Sequence, residues 1–266
     1  MPEELSALMA YAPPFAAVLA RLGGLFIFAP LLSGAILPVR LKVMLLLALA
    51  ACVFPIVDHQ PLTGVPLEMA TIVPIIVAET TVGLVIGLLM LLPIAGVQVA
   101  GVMMGQQMGL SLADVIDPTL ESQADTIGQM LSFLAFGAYL AAGGLELAVG
   151  GVVTTFHNVP LGALAVGGEE PLRLLVGLLT AGYDLATRIA APALCIIFVE
   201  SVAMAFLMKT APQLNVLSVG FPIRIMAGLT AVLASVIFIH EAIRPDVSGA
   251  IETAVRWAAS LGPAGT

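Results

Sequence analysis

Residues 69–109 read MATIVPIIVAETTVGLVIGLLMLLPIAGVQVAGVMMGQQMG, and Glu79 is the sole charged side chain among them. One bilayer crossing takes roughly 20 apolar residues, so this run exceeds one span. Pro74, Pro93 and repeated glycines punctuate it, and it reads as two helices or as one helix broken near Pro93. Backbone groups in lipid must be satisfied within the segment, which leaves helices or closed barrels. The residue-by-residue alternation of a barrel strand is missing. The fold class expected is therefore all-α, a polytopic membrane protein of helical hairpins. Composition agrees: of 266 residues 60% are hydrophobic and 10% charged, against about 25% charged in soluble domains.

The run passes directly into a polar stretch, Gly101 to Gln129. Gly101, Gly105 and Gly109 recur one helical turn apart, as do Gly83 and Gly87. That spacing allows close helix contact; it also suits a segment that moves. Gln106 and Gln107 follow, with Met103, Met104 and Met108 beside them. Methionine fills irregular core space, and a soft side chain also makes a compliant seal. Ser111, Asp114, Asp117, Pro118, Glu121 and Asp125 complete the stretch. Such a segment is either an external loop or an element that lines or closes a path.

Upstream, Leu5 to Leu37 is apolar apart from Arg21 and the Gly23-Gly24 pair. Arg40 and Lys42 follow Pro38, and Val43 to Val57 reads as the next helix. Downstream, Thr126 to Gly151 reads as a helix carrying Glu146, and Gly150 to Pro171 as a loop or short re-entrant segment. Leu172 to Met208 is again too long for one span, with a break expected at Pro192. Lys209 to Asn215 is a polar turn, Phe221 to His240 the last clear apolar helix, and the tail a short amphipathic helix around Trp257.

Charges inside apolar helices demand partners. Arg21, Glu79, Asp184, Arg188 and Glu200 are expected to be buried charges, in structural pairs or along a proton path. Arg188 lies one turn after Asp184, so that pair can form locally. The positive-inside rule assigns Arg40 and Lys42, Lys209 and Arg224, and Arg244 and Arg256 all to the cytoplasmic side. Simple alternation of crossings cannot satisfy all three. The conflict favours helices buried in other protein rather than in lipid.

Several functions are excluded. The nine Lys and Arg are scattered and net charge is −8, which does not suit nucleic acid. The N-terminal MPEEL lacks the basic region of a signal peptide, so the first apolar segment is expected to be retained. Cys52 and Cys195 sit in apolar runs and read as inert small hydrophobes. Gly109-Leu-Ser111-Leu-Ala113 only faintly resembles a nucleophile turn, and His59, His157 and His240 lie near helix ends. His240-Glu241 begins a zinc motif, but Arg244 stands where the second histidine belongs. No phosphate-binding loop is present. No enzyme activity, cofactor or metal is expected.

Lys209, Pro212, Gln213, Asn215, Gly220, Phe221, Pro222 and Arg224 form one distinctive string, KTAPQLNVLSVGFPIR. It resembles the FliR family, export-gate membrane proteins of flagellar and related type III secretion systems, with injectisome homologues of the SpaR and YscT type. Two more segments agree: Arg21 to Pro30 with Ile36 to Lys42, and Gly105-Gln-Gln-Met-Gly109 with Asp117-Pro118 and Ser122-Gln123. Gly220-Phe221-Pro222 tilts the resemblance toward the flagellar branch.

The resemblance implies a protein without chemistry. Residues 1–171 resemble the FliP partner and include the central loop; residues 172–266 resemble the FliQ helix pair plus a tail. It implies a single copy in a hetero-oligomer with FliP-like and FliQ-like subunits, alongside FlhB-like and FlhA-like export proteins. The place is the bacterial inner membrane, in the flagellar basal body, and the cargo is unfolded protein. A channel plug is implied at Gly105, Gln106, Gln107, Met108, Gly109, Ser111, Asp117 and Pro118. A turn contacting other gate subunits is implied at Lys209, Pro212, Gln213, Asn215, Gly220, Phe221, Pro222 and Arg224. An injectisome gate subunit and a small-solute secondary transporter are the alternatives, although no internal repeat of the transporter kind is visible.

Overall fold

The computed structural model describes residues 10–34, 37–58, 62, 63, 65, 68–110, 126–162, 170–210, 220–234 and 249. It is all-helical, and no strand occurs among the described residues. In chain order the helices are α1 (Ala12–Phe28), α2 (Val39–Val53), α3 (Met69–Gln107), α4 (Thr126–Ala141), α5 (Gly144–Asn158), α6 (Glu170–Thr210) and α7 (Gly220–Ala234). A 3-10 turn, Phe54–Ile56, extends α2.

Two expected breaks do not occur. The helix α3 runs unbroken for 39 residues through Pro93, and α6 for 41 residues through Pro192. A proline inside a helix costs about 3 kcal/mol. Interrupting the helix in apolar surroundings would strand several backbone groups, each at several kcal/mol, so continuing is cheaper. At about 1.5 Å per residue α3 and α6 are roughly 58 and 62 Å long, well beyond a hydrocarbon core of about 30 Å.

One expected helix is instead two, and one expected loop is helical. The chain from Thr126 breaks between α4 and α5 at Gly143, whose φ of 73° is left-handed. Glycine adopts that region without the Cβ penalty. Residues 150–158, expected as loop, complete α5. Glu146 in its first turn complements the helix dipole.

The chain divides into two compact units. The first comprises residues 1–91, 143–176 and 247–266. Within it, α1 packs on α2, α5 and the first part of α3. Gly24 and Gly83 bring the backbones of α1 and α3 into contact: a Cβ on Gly24 would sit 2.7 Å from the Leu84 nitrogen, and one on Gly83 would collide with the Arg21 carbonyl. Val18, Leu22, Leu25, Val82 and Ile86 close the core around the crossing. Phe15 meets Phe54 edge to face at 5.6 Å. α2 touches little else and is apolar on nearly all sides.

The second unit comprises residues 92–142 and 177–246. α3 contributes Val97, Ala100 and Met104, continued by Met108 just past its end, α4 Leu131, Ala135 and Tyr139, and α6 Leu185, Ile189, Ala193 and Ile197. Small residues again set the approach. A Cβ on Gly101 would lie 2.6 Å from the Gly128 Cα of α4, and one on Gly96 3.0 Å from the Gly182 carbonyl oxygen of α6. Among the described residues three stretches are long and apolar enough to cross a membrane: Val39–Ile56, Met69–Gln107 and Val176–Thr210. α4 and α5 taken as one broken span make a fourth.

Candidate functional site

The end of α3 carries the described part of the expected plug. Gly105, Gln106 and Gln107 form its last turn, with Gly105 buried and both glutamines exposed. Gly109 stops the helix. Its φ is 82°, its N–H donates to the Gln106 carbonyl at 3.0 Å, and the Leu110 N–H donates to the Gly105 carbonyl at 3.2 Å. These two bonds make a Schellman cap, with glycine at the left-handed position the motif favours. Ser111, Asp117 and Pro118 lie outside the described residues.

Met108 is fully buried and seated on α7. A Cβ built on Gly228 would lie 2.7 Å from Met108 Sδ and 2.6 Å from its Cε. Met104, one turn earlier, is also fully buried, whereas Met103 is half-buried. In this chain Met108 is therefore core packing at the foot of the polar stretch.

The hairpin of α6 and α7 is fastened by a cluster the sequence left dispersed. Arg224 Nε donates to Glu200 Oε2 at 3.2 Å, and Arg224 Nη2 donates to Ser201 Oγ at 2.6 Å. The Glu200 side chain is only 9% exposed and that of Arg224 36%. Gly220 is buried, Phe221 half-buried, and Pro222 and Lys209 exposed. Pro212, Gln213 and Asn215 lie outside the described residues.

Arg21 and Glu79 meet in the first unit, both fully buried. Arg21 Nε donates to Glu79 Oε2 at 2.5 Å, and Nη1 to Thr155 Oγ1 at 3.4 Å. Both terminal nitrogens donate to the Val159 carbonyl at 3.4 Å, and the guanidinium lies 4.3 Å from the centre of the Phe156 ring. The second Glu79 oxygen accepts from the Gly162 N–H at 3.0 Å. The pair thus ties α1 to α3 and to the end of α5. Asp184 and Arg188 do pair locally, at 2.8 Å, but the expectation of burial fails for them in this chain. Their side chains are 57% and 77% exposed, because both point off the buried stripe of α6 that Leu185 and Ile189 occupy.

Thr155, Val159, Gly162, Ser201 and Gly228 were not singled out from the sequence. Among the described residues no group of three or more His, Cys, Asp or Glu is placed to hold a metal. What the geometry offers is two apolar helices far longer than a hydrocarbon core, a buried Arg21–Glu79 pair, and a glycine stop at the entry to a polar segment.

Residues 12–248 match the family described as bacterial export proteins, family 1. This chain belongs to that family. Relatives of this export protein include flagellar biosynthetic protein FliR of Bacillus subtilis (strain 168), 28% identical over 91% of this chain and 93% of the relative. FliR of Escherichia coli (strain K12) is 28% identical over 81% of each chain. Yop proteins translocation protein T of Yersinia pestis is 26% identical over 78% of this chain and 79% of the relative. The resemblance to FliR and its injectisome counterparts is thereby shown. The export protein is integral to a membrane, as its family and its apolar helices together state.

Proposed function

We propose that this chain is a single-copy structural subunit of the flagellar type III protein export gate in the bacterial inner membrane. It helps form, and closes, the channel through which unfolded substrates pass. Its neighbours are FliP-like and FliQ-like membrane subunits, with FlhB-like and FlhA-like export proteins nearby. Residues 1–171 play the FliP-like part and residues 172–266 the FliQ-like part. The observation that carries this reading is similarity to a flagellar FliR over 91% of the chain. Coverage is lower against the injectisome relative, at 78%, which favours the flagellar branch. Membership of an export family displaces the solute-transporter alternative.

The closing element begins at Gly105 and runs through Gln106, Gln107, Gly109, Ser111, Asp117 and Pro118, with Met108 as the buried contact that seats its start on α7. The α6–α7 turn, from Lys209 through Pro212, Gln213 and Asn215 to Arg224, faces neighbouring gate subunits. Because Met108 is packed on α7, the test spares it: residues 111–125 are replaced by a glycine-serine linker of equal length, leaving the Gly109 cap intact. Membranes carrying the assembled complex should then show raised ion conductance at rest. Unchanged conductance, with the complex assembled, would remove the closing role.

A further inference from the structure

Where α3 ends, Met108 is seated on α7, and Arg224 of α7 is in turn joined to α6; the closing role does not by itself require either contact. α7 presents Gly220, Arg224, Gly228 and Ala231 inward at helical spacing. Arg224 is held by Glu200 and Ser201 of α6. One turn further along α7, the missing side chain of Gly228 leaves the space that Met108 fills, since a Cβ there would press on Met108 Sδ at 2.7 Å. Met108 is the residue immediately before the left-handed Gly109 that caps α3. Met108 cannot shift without vacating the Gly228 notch, and α7 cannot slide without releasing Arg224 from α6.

We propose that Gly228 and Met108 are positioning residues of the gate. α7, anchored to α6 through Arg224, is the backstop that holds the capped end of α3 in the closed arrangement. This rests on the reading that the closing element begins at Gly105. A notch that admits one flexible methionine suits a seat that must hold and release, because methionine repacks at low cost, while packed contacts have discrete arrangements.

The experiment uses the complex assembled with its FliP-like and FliQ-like subunits. Gly228→Val fills the notch and displaces Met108. Resting conductance should rise about tenfold, the population shift that overpacking a core commonly produces, with the mass of the complex unchanged. Gly228→Val combined with Met108→Ala restores the volume and should return conductance to near the wild-type level. Gly137→Val, at a glycine with nothing within 4 Å of a built Cβ, should leave conductance as it was. If Gly228→Val does not assemble, the double variant should assemble and stay closed. Wild-type conductance in Gly228→Val, or a leak or assembly defect that Met108→Ala does not relieve, overturns the proposal. Replacing residues 111–125 separates the two levels. A leak there without one in Gly228→Val removes only the positioning role, whereas no leak there removes the closing role itself.

Discussion

At the scale of single residues, the Arg21–Glu79 pair carries the sharpest energetic consequence. Both side chains are fully buried, and their remaining polar atoms are met by Thr155, Val159 and Gly162. Glu79→Ala would strand the guanidinium and leave the Gly162 N–H without its acceptor. Breaking a buried pair in this way costs about 3–5 kcal/mol, whereas replacing both partners by apolar residues of similar volume is often neutral. The thermal midpoint of the detergent-solubilised complex should therefore fall markedly for Glu79→Ala. It should fall much less for Arg21→Met combined with Glu79→Leu. Equal losses would mean that the pair is maintained for something other than charge compensation. Gly83 belongs to the same arrangement, since any Cβ there collides with the Arg21 carbonyl.

At the scale of elements, the hairpin of α6 and α7 is the testable unit. Arg224 reaches Glu200 and Ser201 across a sequence separation of 24 and 23 residues. Glu200→Arg and Arg224→Glu should each weaken assembly and secretion, and the exchanged double variant should recover much of the loss. Residues in contact usually show a coupling of about 0.5–3 kcal/mol. Additive defects would show that the two side chains act separately. The same element shows what could be read in advance. Glu200 was evident as a charge needing a partner and Arg224 as a cation at the start of the last helix, but their pairing depends on how α7 folds back, and no local spacing encodes that. Asp184 and Arg188, four residues apart, were legible as a pair; their exposure was not, because it depends on which stripe of α6 faces inward. Pro93 and Pro192 misled because proline's local penalty is outweighed by the cost of opening a helix in apolar surroundings. Gly143 was legible in principle: a Gly143-Gly144 pair ending an apolar run is a helix-stop signal. Gly228, a lone glycine in an apolar helix, carries no such signal.

At the scale of the whole molecule, fold class and family were legible because composition and three separated motifs point the same way. The positive-inside conflict also finds a physical setting. α3 and α6 are each about twice the length of a hydrocarbon core, and α6 bears an exposed ion pair that is expensive to place in lipid. Both features fit a chain that completes its folding against other subunits rather than against lipid alone. On this reading the chain is one subunit of a hetero-oligomeric export gate. Co-expression with the FliP-like and FliQ-like membrane proteins, followed by native mass measurement of the purified assembly, tests it directly. The expected result is a complex holding both partners and one copy of this chain. Recovery of the chain alone, stable and free of either partner, would contradict it.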